Sequence, residues 1–282
     1  MSAPSQRTGY ALAAAPSVTL GVLFLLPFAI MTMVSVFLRN PRGFYTPGFT
    51  LEHYGRFFSP FFRDVLLDSL LICGLAAIVS VLIAFPFTYL LTRCRRRLQV
   101  IMLVLVLAVL SLSEVIVGFV WSKLLSRSEG LSNLLVFAGL LDEPVAWTPG
   151  FFAVVIGLSY VTLPYATLVL YPALSRLDPE LSEAARTLGA SPLRTFFEII
   201  TPMARKPIAA CVIMAFVFTL GAYAIPNQLG SGNPTQWTIT VHITEQAFQQ
   251  SNLPFAAAMA ILLMMITLIL VALTQRYLGG RS

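Results

Sequence analysis

Six apolar stretches, each near the length of a bilayer-crossing helix, constrain this chain more than anything else in it. A helix needs about 20 mostly apolar residues to cross a hydrocarbon core of about 30 Å. Val18–Phe37, Ser69–Leu91, Leu98–Trp121, Phe151–Leu174, Ile208–Ile225 and Phe255–Leu273 meet that requirement. Only 11% of the 282 residues are charged and 57% are hydrophobic, whereas an average soluble protein has about 25% charged residues. Such a chain cannot cover itself with polar surface, so lipid must be its solvent over much of its area, and an ordinary soluble enzyme is excluded. The sequence predicts an all-α polytopic membrane protein with six transmembrane helices, forming a single transmembrane domain over residues 1–282. The first stretch runs into Leu38-Arg39-Asn40 without a small-residue cleavage pattern and reads as an uncleaved span.

The formal net charge of +6 comes from 18 basic and 12 acidic residues, and the basic ones are clustered. With six spans, the N-terminus, the second and fourth loops and the C-terminus share one side. That side holds Arg7, Arg93, Arg95, Arg96, Arg97, Arg176, Arg186, Arg194, Arg205, Lys206, Arg276 and Arg281, twelve of the eighteen. The other side holds Arg39, Arg42, Arg56, Arg63, Lys123 and Arg127, and the fifth loop, Pro226–Pro254, has no lysine or arginine. The positive-inside rule then places both termini in the cytoplasm. No nucleic-acid partner is expected from this charge. Cys73, Cys94 and Cys211 lack metal-like spacing, and His53 and His242 are the only histidines, so no disulfide framework, metal centre or other cofactor is expected. The run Leu131, Leu134, Leu135, Ala138, Leu141 has helical spacing but is too short to span, and reads as an interfacial helix on the outer side. Pro27, Pro86 and Pro164 fall inside spans and are expected to kink them.

The fourth loop, residues 176–202, carries the most information. Asp178 is placed to cap a helix that begins with Pro179. Glu180 and Glu183 sit near its positive end, and Gly189 suits a left-handed terminating turn. Ser191 and Pro192 repeat the start signal. Two short helices joined by a glycine turn form a rigid knob, the shape needed to transmit force to a partner beneath the membrane.

These residues resemble the cytoplasmic motif of binding-protein-dependent ABC importer permeases: Glu183-Ala184-Ala185, three residues, Gly189, nine residues, Ile199, one residue, and a Leu-Pro pair. Here Thr201 stands where that family usually has Leu, followed by the expected Pro202. The resemblance runs from about Val18 to Gln275. Phe49–Tyr54 with Phe57-Phe58, Phe85-Pro-Phe-Thr-Tyr89 and Gly221–Pro226 with Leu229-Gly230 are similar to segments of polyamine (spermidine/putrescine) permeases. The resemblance implies a type I ABC importer permease of a bacterial inner membrane. Its implied partners are a second permease subunit, a cytoplasmic ABC ATPase dimer and an extracytoplasmic solute-binding protein. It also implies that Glu183, Ala184, Ala185, Gly189 and Pro202 couple the chain to the ATPase. Iron, thiamine or opine import by the same architecture is an alternative, as is secondary transport.

A P-loop ATPase needs Gly-Lys-Ser or Gly-Lys-Thr. The only lysines are Lys123 and Lys206, preceded by Ser122 and Arg205, so ATP hydrolysis is expected on a separate subunit. Glu114 is an ionisable group well inside an apolar stretch, where a carboxylate marks either a polar pathway for a cationic substrate or a structural pairing. Tyr160 and Tyr223 offer cation–π faces along such a pathway or ordinary packing. Trp121, Trp147 and Trp237 read as an interfacial belt.

Overall fold

The computed structural model describes residues 6–40, 43–128, 130–230 and 238–279. Arg42, Trp237 and Arg281 lie outside the described residues. The described chain is helical apart from its loops, with one isolated bridge between Leu38 and Thr46. The helices are α1 (Gln6–Ser35), α2 (Pro60–Arg93), α3 (Arg96–Leu110), α4 (Glu114–Leu124), α5 (Leu131–Phe137), α6 (Phe151–Leu174), α7 (Pro179–Thr187), α8 (Pro192–Met203), α9 (Arg205–Gly221), α10 (Ala224–Leu229), α11 (Ile239–Thr244) and α12 (Leu253–Gly279). Among the described residues four helices are long and apolar enough to cross a bilayer, and up to six spans result if α3 with α4 and α8 with α9 each count as one.

Those two pairs are bent by 88° and 73°, so the apolar run Leu98–Trp121 is not one helix. The chain breaks at Ser111-Leu-Ser113, where Ser113 is extended (φ −61°, ψ 127°) and its carbonyl accepts from Val117 at 3.0 Å. The run Ile208–Ile225 is likewise cut: α9 ends at Gly221, Ala222 is extended, and α10 begins anew at Ala224. Pro27, Pro86 and Pro164 lie inside helices that continue through them. Between consecutive helices, bends above 40° fall at the 111–113 break and at Ala204.

Contacts divide the chain into two units. The first comprises the described parts of Met1–Ser59 and His242–Met265. In it the hydroxyls of Ser35 and Tyr54 are 2.7 Å apart, the His53 ring nitrogen Nε2 meets the Phe37 carbonyl at 2.9 Å, and Arg39 donates to the Gln250 carbonyl at 2.9 Å. Arg56 sits 2.8 Å from Glu52 and 5.5 Å above the Phe255 ring. The hydrogen bond and charge of Arg56 hold the Glu52 carboxyl below its ordinary range. The apolar window of α1 is only 6% buried.

The second unit comprises Pro60–Val241 and the described part of Ile266–Ser282. Its centre is the α2–α6 pair with α9 against both. Small residues let these backbones approach: Ala76, Ala77, Ala84, Ala153 and Ala166 are fully buried. Ser80 donates to the Ser159 carbonyl at 3.2 Å, and Thr219 to the Cys73 carbonyl at 3.2 Å, so polar atoms between the spans are satisfied rather than left bare in an apolar setting. Two apolar clusters result. One joins Ile72, Leu158, Ile225 and Leu229; the other joins Phe85, Leu170, Ile200 and Cys211.

Candidate functional site

The hairpin of α7 and α8 is built by local chemistry. Asp178 is extended (φ −62°, ψ 123°), and its carboxylate accepts from the Glu180 N–H at 2.9 Å. That satisfies one of the orphan donors at the helix start. At the other end Gly189 has φ +87°. Its N–H donates to the Arg186 carbonyl at 3.0 Å, and the Ala190 N–H reaches the Ala185 carbonyl at 3.0 Å. This pair of bonds is the Schellman closure, and it needs the left-handed conformation that glycine adopts without a Cβ penalty. Ser191 then caps α8, accepting from the Arg194 N–H at 3.3 Å, and Arg194 pairs with Glu198 one turn on at 2.8 Å.

Glu183 and Ala184 face outward, whereas the Ala185 side chain is buried. Leu188 is 88% exposed, Leu193 72% and Phe197 64%. Leu193, Phe197 and Glu183 also line the cavity between the hairpin and α2, and the Phe197 ring meets Phe196 edge-on at 5.2 Å. The Glu-Ala-Ala spacing does not single out the three apolar side chains. The residue after the helix and the second residue of α8 are where a Schellman turn and an N-cap leave side chains pointing to solvent, and that signal was available in the sequence.

Between Phe196 and Ile200 the helix opens into a π turn. Thr201 donates its hydroxyl to the Phe196 carbonyl at 2.9 Å, five residues back, so the hydroxyl supplies a donor that the usual leucine lacks. Pro202 follows within the last turn of α8, and the chain bends at Ala204, which is buried. A missing N–H at Pro202 and a widened turn before it are identifiable causes of that bend. The hairpin does not hang free. The Phe196 ring lies 5.1 Å from Phe85 and 5.4 Å from Tyr89, and Ile200 is buried in the adjoining cluster. The Phe85–Tyr89 segment is thus the seat of α8.

Glu114 lies at the opposite end of the unit, at the start of α4 just after the 88° break. Its Oε1 accepts from the Ile225 N–H at 3.3 Å, within the first turn of α10. Gln228 donates to the Val115 carbonyl at 3.1 Å. A Cβ at Gly118 would come within 3.2 Å of Gln228, so α4 and α10 meet through the face glycine leaves open. The two broken runs are therefore tied at their breaks. Glu114 also lines a cavity of about 390 Å³ with Val161, Phe218 and Ala222. Tyr160 meets Trp121 edge-on at 5.6 Å, and Tyr223 stands at the break before α10. Each is 37% exposed, and neither belongs to the lining of the Glu114 cavity. Among the described residues no group of three or more metal-binding side chains occurs.

The model of the binding-protein-dependent transport system inner membrane component family matches residues 77–281. The chain is 29% identical over 253 residues to the spermidine/putrescine transport system permease protein PotB of Haemophilus influenzae, covering 89% of this chain and 87% of that one. It is 31% identical over 245 residues to PotB of Escherichia coli K12, covering 86% and 88%. It is 27% identical to the inner membrane ABC transporter permease protein YdcU of E. coli K12, covering 93% and 90%. Among solved structures, a bacterial ABC transporter that imports the acidic polysaccharide alginate superposes with a TM-score of 0.74 at 19% identity, covering 98% of this chain and 97% of that one. The same kind of transporter bound to an alginate-loaded periplasmic protein gives 0.75 at 18%, covering 96% and 94%. The chain belongs to the family of binding-protein-dependent transport system inner membrane components, and is a multi-pass transmembrane permease subunit of an ABC importer.

Proposed function

We propose that this permease imports a polyamine such as spermidine or putrescine, with ATP hydrolysed on a separate ATPase dimer that docks on the hairpin of residues 176–202. The observation that carries the docking role is the hairpin itself. Its three local caps fix its shape, the apolar side chains of Leu188, Leu193 and Phe197 are left exposed, and Phe196 seats it on α2. A rigid lever packed on a membrane helix transmits displacement, which a solvated loop cannot do. In this reading Glu183, Ala184, Ala185, Gly189 and Pro202 hold the lever's shape and charge. Both termini and the hairpin face the cytoplasm, where twelve of the eighteen basic residues gather. A second permease subunit completes the pathway, and the sparse burial of α1 supports such a neighbour.

The substrate class rests on the likeness to spermidine/putrescine permeases over most of both chains. It also rests on the carboxylate of Glu114 in a cavity wall and on a fifth loop that contains Glu245 and no lysine or arginine. A cation entering a narrow pathway loses hydration, and an opposing charge in a low-dielectric wall lowers that barrier. Tyr160 and Tyr223 add faces that attract ammonium groups. A solute-binding protein on the outer side would deliver the substrate.

The test is uptake of labelled spermidine into vesicles holding this permease with its partner permease, ATPase and binding protein. Uptake should require enclosed ATP and persist when ion gradients are dissipated. Uptake that needs an ion gradient and no ATPase would overturn the coupling reading. Saturable ATP-driven uptake of another solute with none of spermidine would overturn the substrate.

A further inference from the structure

A cavity of about 980 Å³ opens between the end of α2 nearest the hairpin and helices α7, α8 and α9. Its two ends differ in chemistry. Arg93, Arg186, Glu183 and Ser182 line one end, and Ile78, Leu82, Ile208 and Val212 line the other. Leu82 and Leu90 on its wall are 68% and 64% exposed, so the apolar part opens sideways. We propose that this cavity binds one anionic phospholipid, its phosphate between Arg93 and Arg186 and an acyl chain along Leu90, Leu82 and Ile78.

Length, charge and openness each point to that occupant. From Ile78 to Arg93 the helix rises about 22 Å, at 1.5 Å per residue. That is about half of a bilayer counted with its headgroups, about 40–45 Å across, so the cavity matches one leaflet from headgroup to midplane. At the mouth, Arg93 stacks over Tyr89 at 5.3 Å, and among the described residues no carboxylate pairs with either arginine within 4.0 Å. Glu183 removes one of the two positive charges of the lining, but the chain continues directly into exposed Arg95, Arg96 and Arg97. Basic pockets between membrane helices are fitted to phospholipid headgroups. A soluble anion would not need an apolar wall running from Ile78 to Leu90, and a protein segment would not need two guanidinium groups without a carboxylate partner at its end.

The cavity shares Glu183, Leu193 and Phe197 with the proposed ATPase dock, but lipid binding at Arg93 and along α2 does not depend on that docking role. The test uses the assembled transporter, stripped of lipid in detergent and titrated with phosphatidylglycerol or phosphatidylcholine of identical chains, with bound lipid read by native mass spectrometry. Both lipids offer the same phosphate, but choline adds a quaternary ammonium that the two arginines repel, so phosphatidylglycerol should bind about tenfold more tightly, about 1.4 kcal/mol. Arg93→Gln should remove that preference. Leu82→Trp should weaken both lipids alike by filling the apolar wall. Both positions lie outside the hairpin. Glycerophosphoglycerol, the same headgroup without chains, and inorganic phosphate should fail to displace the lipid. The proposal is overturned if the two lipids bind equally, if Arg93→Gln leaves the preference intact, or if inorganic phosphate displaces the lipid. It is equally overturned if Leu82→Cys crosslinks to the partner permease, which would show that a subunit fills the cavity.

Discussion

The two ends of the α2–α6 pair are held by contacts of different range. At the hairpin, each defining bond joins near neighbours: Asp178 to Glu180, Ala185 to Ala190, Ser191 to Arg194. At the opposite end the ties join residues more than a hundred positions apart, Glu114 to Ile225 and Val115 to Gln228. A surface closed by local bonds keeps its shape whatever the spans do. Two broken helices joined by long-range hydrogen bonds and by the buried cluster of Val117, Ile225 and Leu229 hold their relation only while the spans around them hold theirs. In the proposed function the first end receives force and the second flanks the substrate path.

The sharpest way to break this comparison is at the hairpin. Gly189→Asp places a Cβ-bearing residue at φ +87°, a left-handed strain of about 1–2 kcal/mol that opens the Schellman closure. Glu183→Lys reverses a charge on the exposed face. Each should abolish transport and release the ATPase in pull-down while the permease still inserts. Normal transport by both would remove the docking role.

A somewhat smaller effect is expected at the seat. Phe196→Ala removes the ring that meets Phe85 and Tyr89, at about 2 kcal/mol for a half-buried aromatic, less than the full 3–5 of a buried one. The ATPase should still bind, but hydrolysis should no longer drive uptake in vesicles. Loss of binding together with coupling would mean the seat and the tip are one element.

At the far end, a Cβ on Gly157 would lie 2.5 Å from Leu229 and 2.8 Å from Ile225. Gly157→Ala should therefore lower thermal stability by about 1–3 kcal/mol through overpacking while ATPase binding is unchanged. Glu114→Gln keeps an acceptor for the Ile225 N–H and removes the charge, whereas Glu114→Ala removes both. If Glu114 faces a cation path, the glutamine variant should raise the half-saturating spermidine concentration with assembly intact. If it serves only as a cap, glutamine should match wild type, and alanine alone should lose about 1 kcal/mol.

The smallest effect belongs to Glu52, a control in the other unit. Its folded-state carboxyl titrates below its ordinary value because of Arg56. The pairing therefore contributes above the ordinary carboxylate range and fades as pH falls through the folded value. Arg56→Gln should narrow the stability difference between neutral and acidic pH, and only slightly, because the pair is exposed. Transport at neutral pH should be unchanged.

The same contrast in range explains what the sequence made legible. Helical class and the turns at Asp178, Gly189 and Ser191 are readable because capping chemistry acts over two to five residues. The 88° break was not readable, because Leu98–Trp121 has only Gln99, Ser111, Ser113 and Glu114 as polar side chains, and nothing local announces that Glu114 will satisfy a backbone N–H in another helix. The seat of Phe196 on Phe85 was hidden for the same reason. Thr201 is a smaller case: the sequence shows only that it replaces the usual leucine, not that its hydroxyl bonds the carbonyl of the π turn.

Crosslinking on the assembled transporter tests the central claim most directly. With Cys94 replaced by Ser, Leu188→Cys and Leu193→Cys at the hairpin tip should each crosslink to the ATPase subunit. Phe137→Cys, 93% exposed on the short helix α5, should not. Crosslinks from neither hairpin position, or from Phe137→Cys instead, would contradict the assignment of the hairpin as the ATPase dock.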